Sequence, residues 1–248
     1  MECKKKLLEV KDRAQKREIQ NNLFLAQVAH EFRTPLNGII GFAEILQEDG
    51  LTKEEQKEYS RIINLSAKRL LTFVNDMLQV AQIHNCKLEV NKGCVKLNDL
   101  MREISLLYYL QVKEKGLKWF CNLALDDIHS LIYTDEQKLN QIITNLIGNA
   151  LKFTSEGQIS LGYRLRDAFL EFYVEDTGIG IPADQQDYIF ESFGQVDGFA
   201  SKKKGGVGFG LYISKSLVQM LGGRMWVESE LGQGSTFYFT IPYESGQN

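Results

Sequence analysis

A chain of 248 residues, 44% hydrophobic and 25% charged, has the make-up of an ordinary globular protein with room for one large domain or two modest ones. Its net charge of −3 argues against a general affinity for nucleic acid or for an anionic membrane surface. No apolar run approaches the roughly 20 residues that span a bilayer, and the start, MECKKKLLEV, lacks the apolar stretch and cleavage site of a signal peptide. Four cysteines, Cys3, Cys86, Cys94 and Cys121, are spaced too widely for a CxxC metal site and read as reduced thiols of a cytoplasmic compartment.

Residues 1 to about 85 hold no strand pattern and almost no glycine. Leu25, Val28, Phe32, Leu36, Ile39, Ala43 and Leu46 recur at three and four, which predicts a long helix with one apolar stripe. The stretch QEDGLTKEE ends it at Gly50, and Thr52 with Glu55 has the spacing of a capping box that opens a second helix. Ile62, Leu65, Leu70, Phe73, Met77 and Val80 form that helix's apolar face. One helical hairpin cannot bury both stripes, so the expected form is a homodimer closed into a four-helix bundle. The basic start, KKKLLEVKDRAQKREIQ, reads as the end of a signalling helix running in from upstream.

From about residue 87 the pattern changes, with the boundary at HNCKLEVNKG giving domains over 1–88 and 89–248. Helical patterns fall at 98–115, 135–153, 183–191 and 208–221. QISLGYRLR alternates Ile159, Leu161, Tyr163 and Leu165, LEFYV alternates Leu170, Phe172 and Val174, and the two strands turn at RDA. GRMWVESELGQGSTFYFTIP reads as a second hairpin. These elements predict an α+β domain in which an antiparallel sheet is covered by helices.

Within 135–153, Asn145, Asn149 and Lys152 share one narrow arc, while Leu139, Ile143, Leu146, Ile147 and Ala150 crowd another. Asn is a poor helix former, so two of them with a Lys on one stripe need a reason. One reading is a solvated face; another is a site where amide oxygens meet Mg²⁺ and an ammonium meets phosphate. Two glycine-rich stretches favour the second. EDTGIGIP sets Asp176 before Gly178 and Gly180, a carboxylate able to accept from an exocyclic amine beside backbone that a flat ligand can approach. KKKGGVGFGLYISK places Gly205, Gly206, Gly208 and Gly210 before a helix, with Lys202, Lys203 and Lys204 ahead of them, and helix N-termini bind phosphate. Hairpins in place of parallel βαβ units argue against a dinucleotide fold.

In order, FLAQVAHEFRTPLNGIIGFAEIL, NLIGNALKFT, DTGIGIP, IFESFGQ, GGVGFGLYISK and GQGSTF resemble the H, N, G1, F and G2 boxes and the closing strand motif of sensor histidine kinases of two-component systems, over about residues 20 to 243. The resemblance implies a dimeric helical hairpin followed by an α+β sandwich of the histidine-kinase, gyrase and Hsp90 ATPase type. It implies ATP and Mg²⁺ as ligands: Asn149 on the metal, and Asn145, Lys152 and Lys204 toward phosphate, with Phe153 beside them. Asp176 would take the adenine amine, Gly178 and Gly180 would shape its pocket, and Phe190 and Phe193 would match the aromatic box. Gly206, Gly208 and Gly210 would close the lid over the triphosphate, with Leu211 also on the ATP, while Gly232 and Gly234 would turn a hairpin. Val207, Phe209 and Ala29 depart from the commoner Thr, Leu and Ser and remove no group that the chemistry requires.

The same resemblance makes His30 the phosphoacceptor, Glu31 its general base and Arg33 a neighbour of phosphate charge. Thr34, four residues on and on the same face, would position water against a phosphoaspartate. The implied partner is a response-regulator receiver domain, in trans or elsewhere in the parent protein, and neither nucleic acid nor a direct membrane contact is expected of this segment. Pro35 cannot donate to the carbonyl of Glu31, which places a hinge just after the phosphoacceptor. His84 and His129 read as structural. Competing readings are an ATP-driven clamp, which leaves HEFRTPLN unexplained, and a nucleotide-sensing scaffold, which leaves the retained His30 and Glu31 unexplained.

Overall fold

In the computed structural model, which describes residues 28–191 and 208–246, the first apolar repeat forms a helix (α1) over 28–45. A turn follows, in which Gly50 takes φ +96°, and α2 runs over Lys53–His84 without a glycine or proline. The start of α2 is a complete capping box. The Thr52 N–H donates to the Glu55 carboxylate at 2.9 Å and the Thr52 hydroxyl to the same oxygen at 2.8 Å, while the Glu55 N–H donates back to the hydroxyl at 3.2 Å. These bonds satisfy donors that a helix end otherwise leaves to water.

Two compact units divide at Leu78 and Gln79. In the first, α1 and α2 are antiparallel, with Phe42 on Tyr59 at 5.4 Å between ring centroids and Phe32 edge-on to Phe73 at 4.9 Å. Between these contacts Gly38 lets the helices close, since a Cβ there would lie 3.1 Å from the Ser66 hydroxyl. Phe73 is buried, whereas Leu36, Ile40 and Leu65 stay more than 40% exposed. The hairpin alone therefore leaves part of its apolar surface in water.

The second unit holds β1 (Gly93–Lys96), α3 (Leu97–Glu114), β2 (Lys118–Asn122), β3 (Leu131–Thr134), α4 (Glu136–Phe153), β4 (Gln158–Arg166), β5 (Phe169–Asp176), α5 (Phe209–Met220), β6 (Met225–Glu230) and β7 (Gly234–Pro242). A five-stranded sheet is ordered β2-β4-β5-β7-β6, and β1 pairs separately with β3. The expected hairpins form: Arg166 pairs with Phe169 around a two-residue turn at Asp167 (φ +52°), and Glu230 pairs with Gly234. The sheet is mixed, not wholly antiparallel as expected, because β2 runs parallel to β4 from Lys118↔Gln158 to Asn122↔Gly162. The 183–191 pattern is two short 3₁₀ turns, Ala183–Gln185 and Tyr188–Phe190, rather than a helix. Its buried residues, Ile189 and Phe190, are adjacent and cannot share one helix face.

The core lies between the sheet and α3, α4 and α5. Phe172 and Phe239 stack at 4.6 Å, Tyr163 packs beside Phe172 at 5.6 Å, and Leu139, Ile143, Leu146 and Ile147 of α4 are fully buried beneath the sheet. The Tyr163 hydroxyl donates to the Asn98 amide oxygen at 2.5 Å, and the Asn98 amide donates to Leu125 O and to Asp127, so this polar pair inside the unit is satisfied.

Candidate nucleotide site and phosphoacceptor helix

Helix α4 is set by Asp135. Its buried carboxylate accepts from the Lys138 N–H at 3.1 Å, from the Asn91 N–H at 2.8 Å and from the Lys138 ammonium at 2.7 Å. Burial pushes this carboxyl up, but the Lys138 side chain and the two N–H groups outweigh it and hold the group below its ordinary value. With its N-terminus fixed, α4 presents Asn145, Asn149 and Lys152 as a half-buried stripe opposite its buried apolar face. The Lys152 ammonium lies over the Phe153 ring at 4.8 Å. The Asn145 amide donates to the Ser214 hydroxyl of α5 at 2.7 Å. Gly210 is what allows that approach, since a Cβ there would stand 2.5 Å from the Asn145 oxygen. Gly208 caps α5 at φ +78°, and Leu211 is half-buried in its first turn.

Asp176 ends β5 and is 6% exposed. Its Oδ1 accepts from the Gly178 N–H at 2.8 Å and from the Thr154 hydroxyl, at the C-terminus of α4, at 3.4 Å. Burial pushes its carboxyl up to about 6 against those bonds. A side chain at Gly178 would strike the Phe153 carbonyl at 2.7 Å, and one at Gly180 (φ +69°) the Glu230 carbonyl at 2.0 Å. Backbone is drawn tightly past both glycines, and Asp176 beside them is a buried acceptor. Phe190 is a core anchor, edge-on to Phe237 at 6.3 Å with the Lys215 ammonium 5.1 Å from its ring. Phe193, Lys202, Lys203, Lys204, Gly205, Gly206 and Val207 lie outside the described residues.

Among the described residues no cluster of three His, Cys, Asp or Glu can enclose a metal. The Asn149 side chain makes no hydrogen bond among the described residues. A lone amide oxygen of this kind suits Mg²⁺, which keeps most of its waters and shares the remaining positions between protein and phosphate. The donor set fits a metal that arrives with a nucleotide and does not fit a resident structural ion.

On α1, His30 is 75% exposed, with Nδ1 3.9 Å from the Glu31 carboxylate. That separation is beyond a hydrogen bond and within one rotamer change of it. The Thr34 hydroxyl donates to the His30 carbonyl at 3.2 Å, back along its own helix. Arg33 is exposed on the same turn, and helix continues through Pro35. His129 is held by Asp126 at 2.8 Å, and His84 stacks on Tyr212 at 5.8 Å; both are engaged in packing. Sequence reasoning missed Asp135, Thr154 and Ser214. An Asp directly before a helical period is a capping signal that marks Asp135; the other two carry no local signal.

Comparison with known proteins follows the same division. Residues 20–86 match the His Kinase A (phospho-acceptor) domain, and residues 134–245 match the histidine kinase-, DNA gyrase B-, and HSP90-like ATPase. The autoinducer 2 sensor kinase/phosphatase LuxQ of Vibrio vulnificus (strain YJ016) is 39% identical over 230 residues, 90% of this chain and 27% of that protein. The aerobic respiration control sensor protein ArcB of Escherichia coli (strain K12) is 40% identical over 220 residues, 88% of this chain and 28% of its own. Among solved structures, full-length ShkA in complex with AMPPNP aligns at a TM-score of 0.68 and 35% identity over 89% of this chain and 46% of ShkA. The chain thus spans under a third of these curated relatives. With both modules matched in order, it belongs to the sensor histidine kinases.

Proposed function

We propose that this chain is the catalytic core of a histidine kinase that transfers the γ-phosphoryl group of ATP to His30 and then to an aspartate of a response-regulator receiver domain. The observation that carries this reading is the exposed imidazole of His30 with a carboxylate 3.9 Å from its Nδ1. Neutral imidazole attacks phosphorus through Nε2 as the bond to the β–γ bridging oxygen breaks and ADP leaves. Glu31 takes the Nδ1 proton, which leaves an uncharged ring whose Nε2 carries the anionic phosphoryl group. In the second step a receiver carboxylate attacks the same phosphorus, the P–N bond breaks, and the imidazole recovers its proton.

In the second unit, Asp176 accepts the adenine amine, while Asn145, Lys152 and Lys204 face phosphate with Phe153 alongside. Gly178 and Gly180 shape the base pocket, and Gly206, Gly208, Gly210 and Leu211 border the triphosphate. Phe190 supports that border from the core. Mg²⁺, held by Asn149 and the phosphates, supplies charge neutralisation when bound. Arg33 steadies phosphate charge near His30. The exposed Leu36, Ile40 and Leu65 support pairing of two hairpins into a four-helix bundle. Thr34 supports a phosphatase activity toward the receiver once its hydroxyl leaves the His30 carbonyl for water. No described helix is long and apolar enough to cross a membrane. The free thiols of Cys86, Cys94 and Cys121 support a cytoplasmic setting for this part of the protein.

The test is incubation with γ-labelled ATP and Mg²⁺ beside the His30→Gln variant. Label that survives base, is lost in acid and is absent from the variant supports the kinase. ATP binding without such label on the unaltered chain would overturn it in favour of a nucleotide-sensing scaffold.

A further inference from the structure

Helix α3 exposes leucine where a soluble surface rarely does. Leu106 is 75% exposed, and Leu107 and Leu110 are each 64% exposed. Rotation of about 100° per residue places the three within an arc of roughly 100°, opposite the face through which Leu100, Met101, Ile104 and Val112 enter the core. The stripe belongs to neither candidate site and contributes nothing to the unit's own interior. The largest contiguous apolar patch on a monomer is often a functional surface.

We infer that this stripe is a self-association surface, on which α3 packs antiparallel against α3 of a second copy about a two-fold axis level with Tyr108. The charges at its ends select that arrangement. A two-fold at 108 brings residues whose numbers sum to 216 to the same level, so Leu106 meets Leu110 of the other copy. Glu103 then lies level with Lys113, while Arg102 stays with Asp99 and Asp127 of its own unit. Each end joins opposite charges, and the contact is self-complementary as an isologous interface must be. A parallel pairing would set Glu103 on Glu103 and Glu114 on Glu114. Glu103 is exposed and has no ion pair among the described residues, and Lys113 has only the Tyr109 ring beneath it at 5.9 Å, so both are available to a second copy. Three part-exposed leucines present less than the roughly 800 Å² per partner that free-standing association needs. The contact is therefore weak in dilute solution and forms where copies are already held close, as two hairpin-paired chains or clustered receptors would be.

Cross-linking tests this without assuming which copies meet. The full chain, with its four cysteines replaced by serine, carries Leu107→Cys, which the two-fold brings two positions along the helix from its counterpart in the other copy. Leu231→Cys, 66% exposed in the β6–β7 turn, is the control. Circular dichroism melts confirm that each variant folds. Under mild oxidation Leu107→Cys is expected to form disulfide-linked dimers at least about tenfold faster than the control. Adding Glu103→Lys should return the rate to that of the control, and adding Lys113→Glu to that should restore it. A Leu107→Cys rate equal to the control, no loss with Glu103→Lys, or no restoration by the double reversal would each overturn the proposal.

Discussion

The amide of Asn145 donates to the hydroxyl of Ser214 at 2.7 Å, tying the middle of α4 to the second turn of α5. Ser214 is 1% exposed, so the bond is shielded from water and fixes which way the amide faces. A Cβ at Gly210 beside it would stand 2.5 Å from the Asn145 oxygen, so the amide would have to shift to admit one. The start of α5 is therefore fixed against α4, which also carries the candidate phosphate and metal ligands.

Gly210→Ala forces a methyl group to 2.5 Å from the Asn145 oxygen. The expected cost is about 1–3 kcal/mol, visible as a lower thermal midpoint and an ATP affinity reduced by about tenfold or more in calorimetry. Ser214→Ala removes only the hydroxyl and should cost about 1 kcal/mol. An unchanged affinity in Gly210→Ala would mean that α5 moves away from Asn145 without loss to the site.

Asp176 gives opposite pH signs for stability and for binding. Its folded carboxyl titrates at about 6 against 3.8 for the ordinary group, because burial disfavours the charge. Between those values the folded state binds more protons than the unfolded state, so this group makes the protein more stable as pH falls through 6 and less stable as pH rises. An adenine amine needs the ionised carboxylate, so ATP affinity should weaken as pH falls below 6. Asp76 on α2, also pushed to about 6 by burial, shares the stability window and has no part in the nucleotide site. Calorimetry at pH 5.5 and 7.5 should show a loss of affinity in the parent chain that Asp176→Asn, weak at both, does not show.

Asn145, Asn149 and Lys152 were legible because a helical period sorts them from Leu139, Ile143 and Leu146 without any knowledge of the partner. β4 and β5 were legible because eight or nine residues display their alternation. β1, β2 and β3 have four or five residues, too few to establish a period. The parallel pairing of Trp119 with Ile159 depends on contacts forty residues apart, which no local pattern encodes. Thr154 and Ser214 were illegible for a related reason: each is an ordinary helix-end or helix residue until the fold brings a carboxylate or an amide to it. Whether a capping Thr also serves Asp176 is decided by tertiary structure.

Asp135→Ala should destabilise the second unit by about 1–3 kcal/mol, because the N–H groups of Asn91 and Lys138 and the Lys138 ammonium all lose one acceptor. Its carboxyl is held below its ordinary value, so its contribution is present above the unfolded value and is lost as pH falls through the folded one. The difference in melting temperature between the parent and Asp135→Ala should therefore be full at pH 7 and shrink only as pH is taken below 4. A difference that is constant down to pH 2.5 would assign the residue a packing role.

His30, Glu31 and Thr34 lie on one stretch of α1 but should fail in different ways. Glu31→Gln keeps the shape of the side chain and removes the proton acceptor 3.9 Å from the imidazole. Autophosphorylation is expected to fall by about 10²–10⁴, with ATP affinity unchanged because the nucleotide residues lie in the other unit. Thr34→Ala removes only a hydroxyl now bonded to the His30 carbonyl. It should leave label on His30 within about twofold, since that bond adds to a carbonyl already within a helix, and should slow loss of phosphate from a receiver incubated with the kinase. Label that fell equally in both variants would show that Thr34 acts by positioning His30, and the receiver assay would then report the helix rather than water. Rescue by Thr34→Ser separates the two: a hydroxyl needed for water restores dephosphorylation, whereas a methyl needed for packing does not.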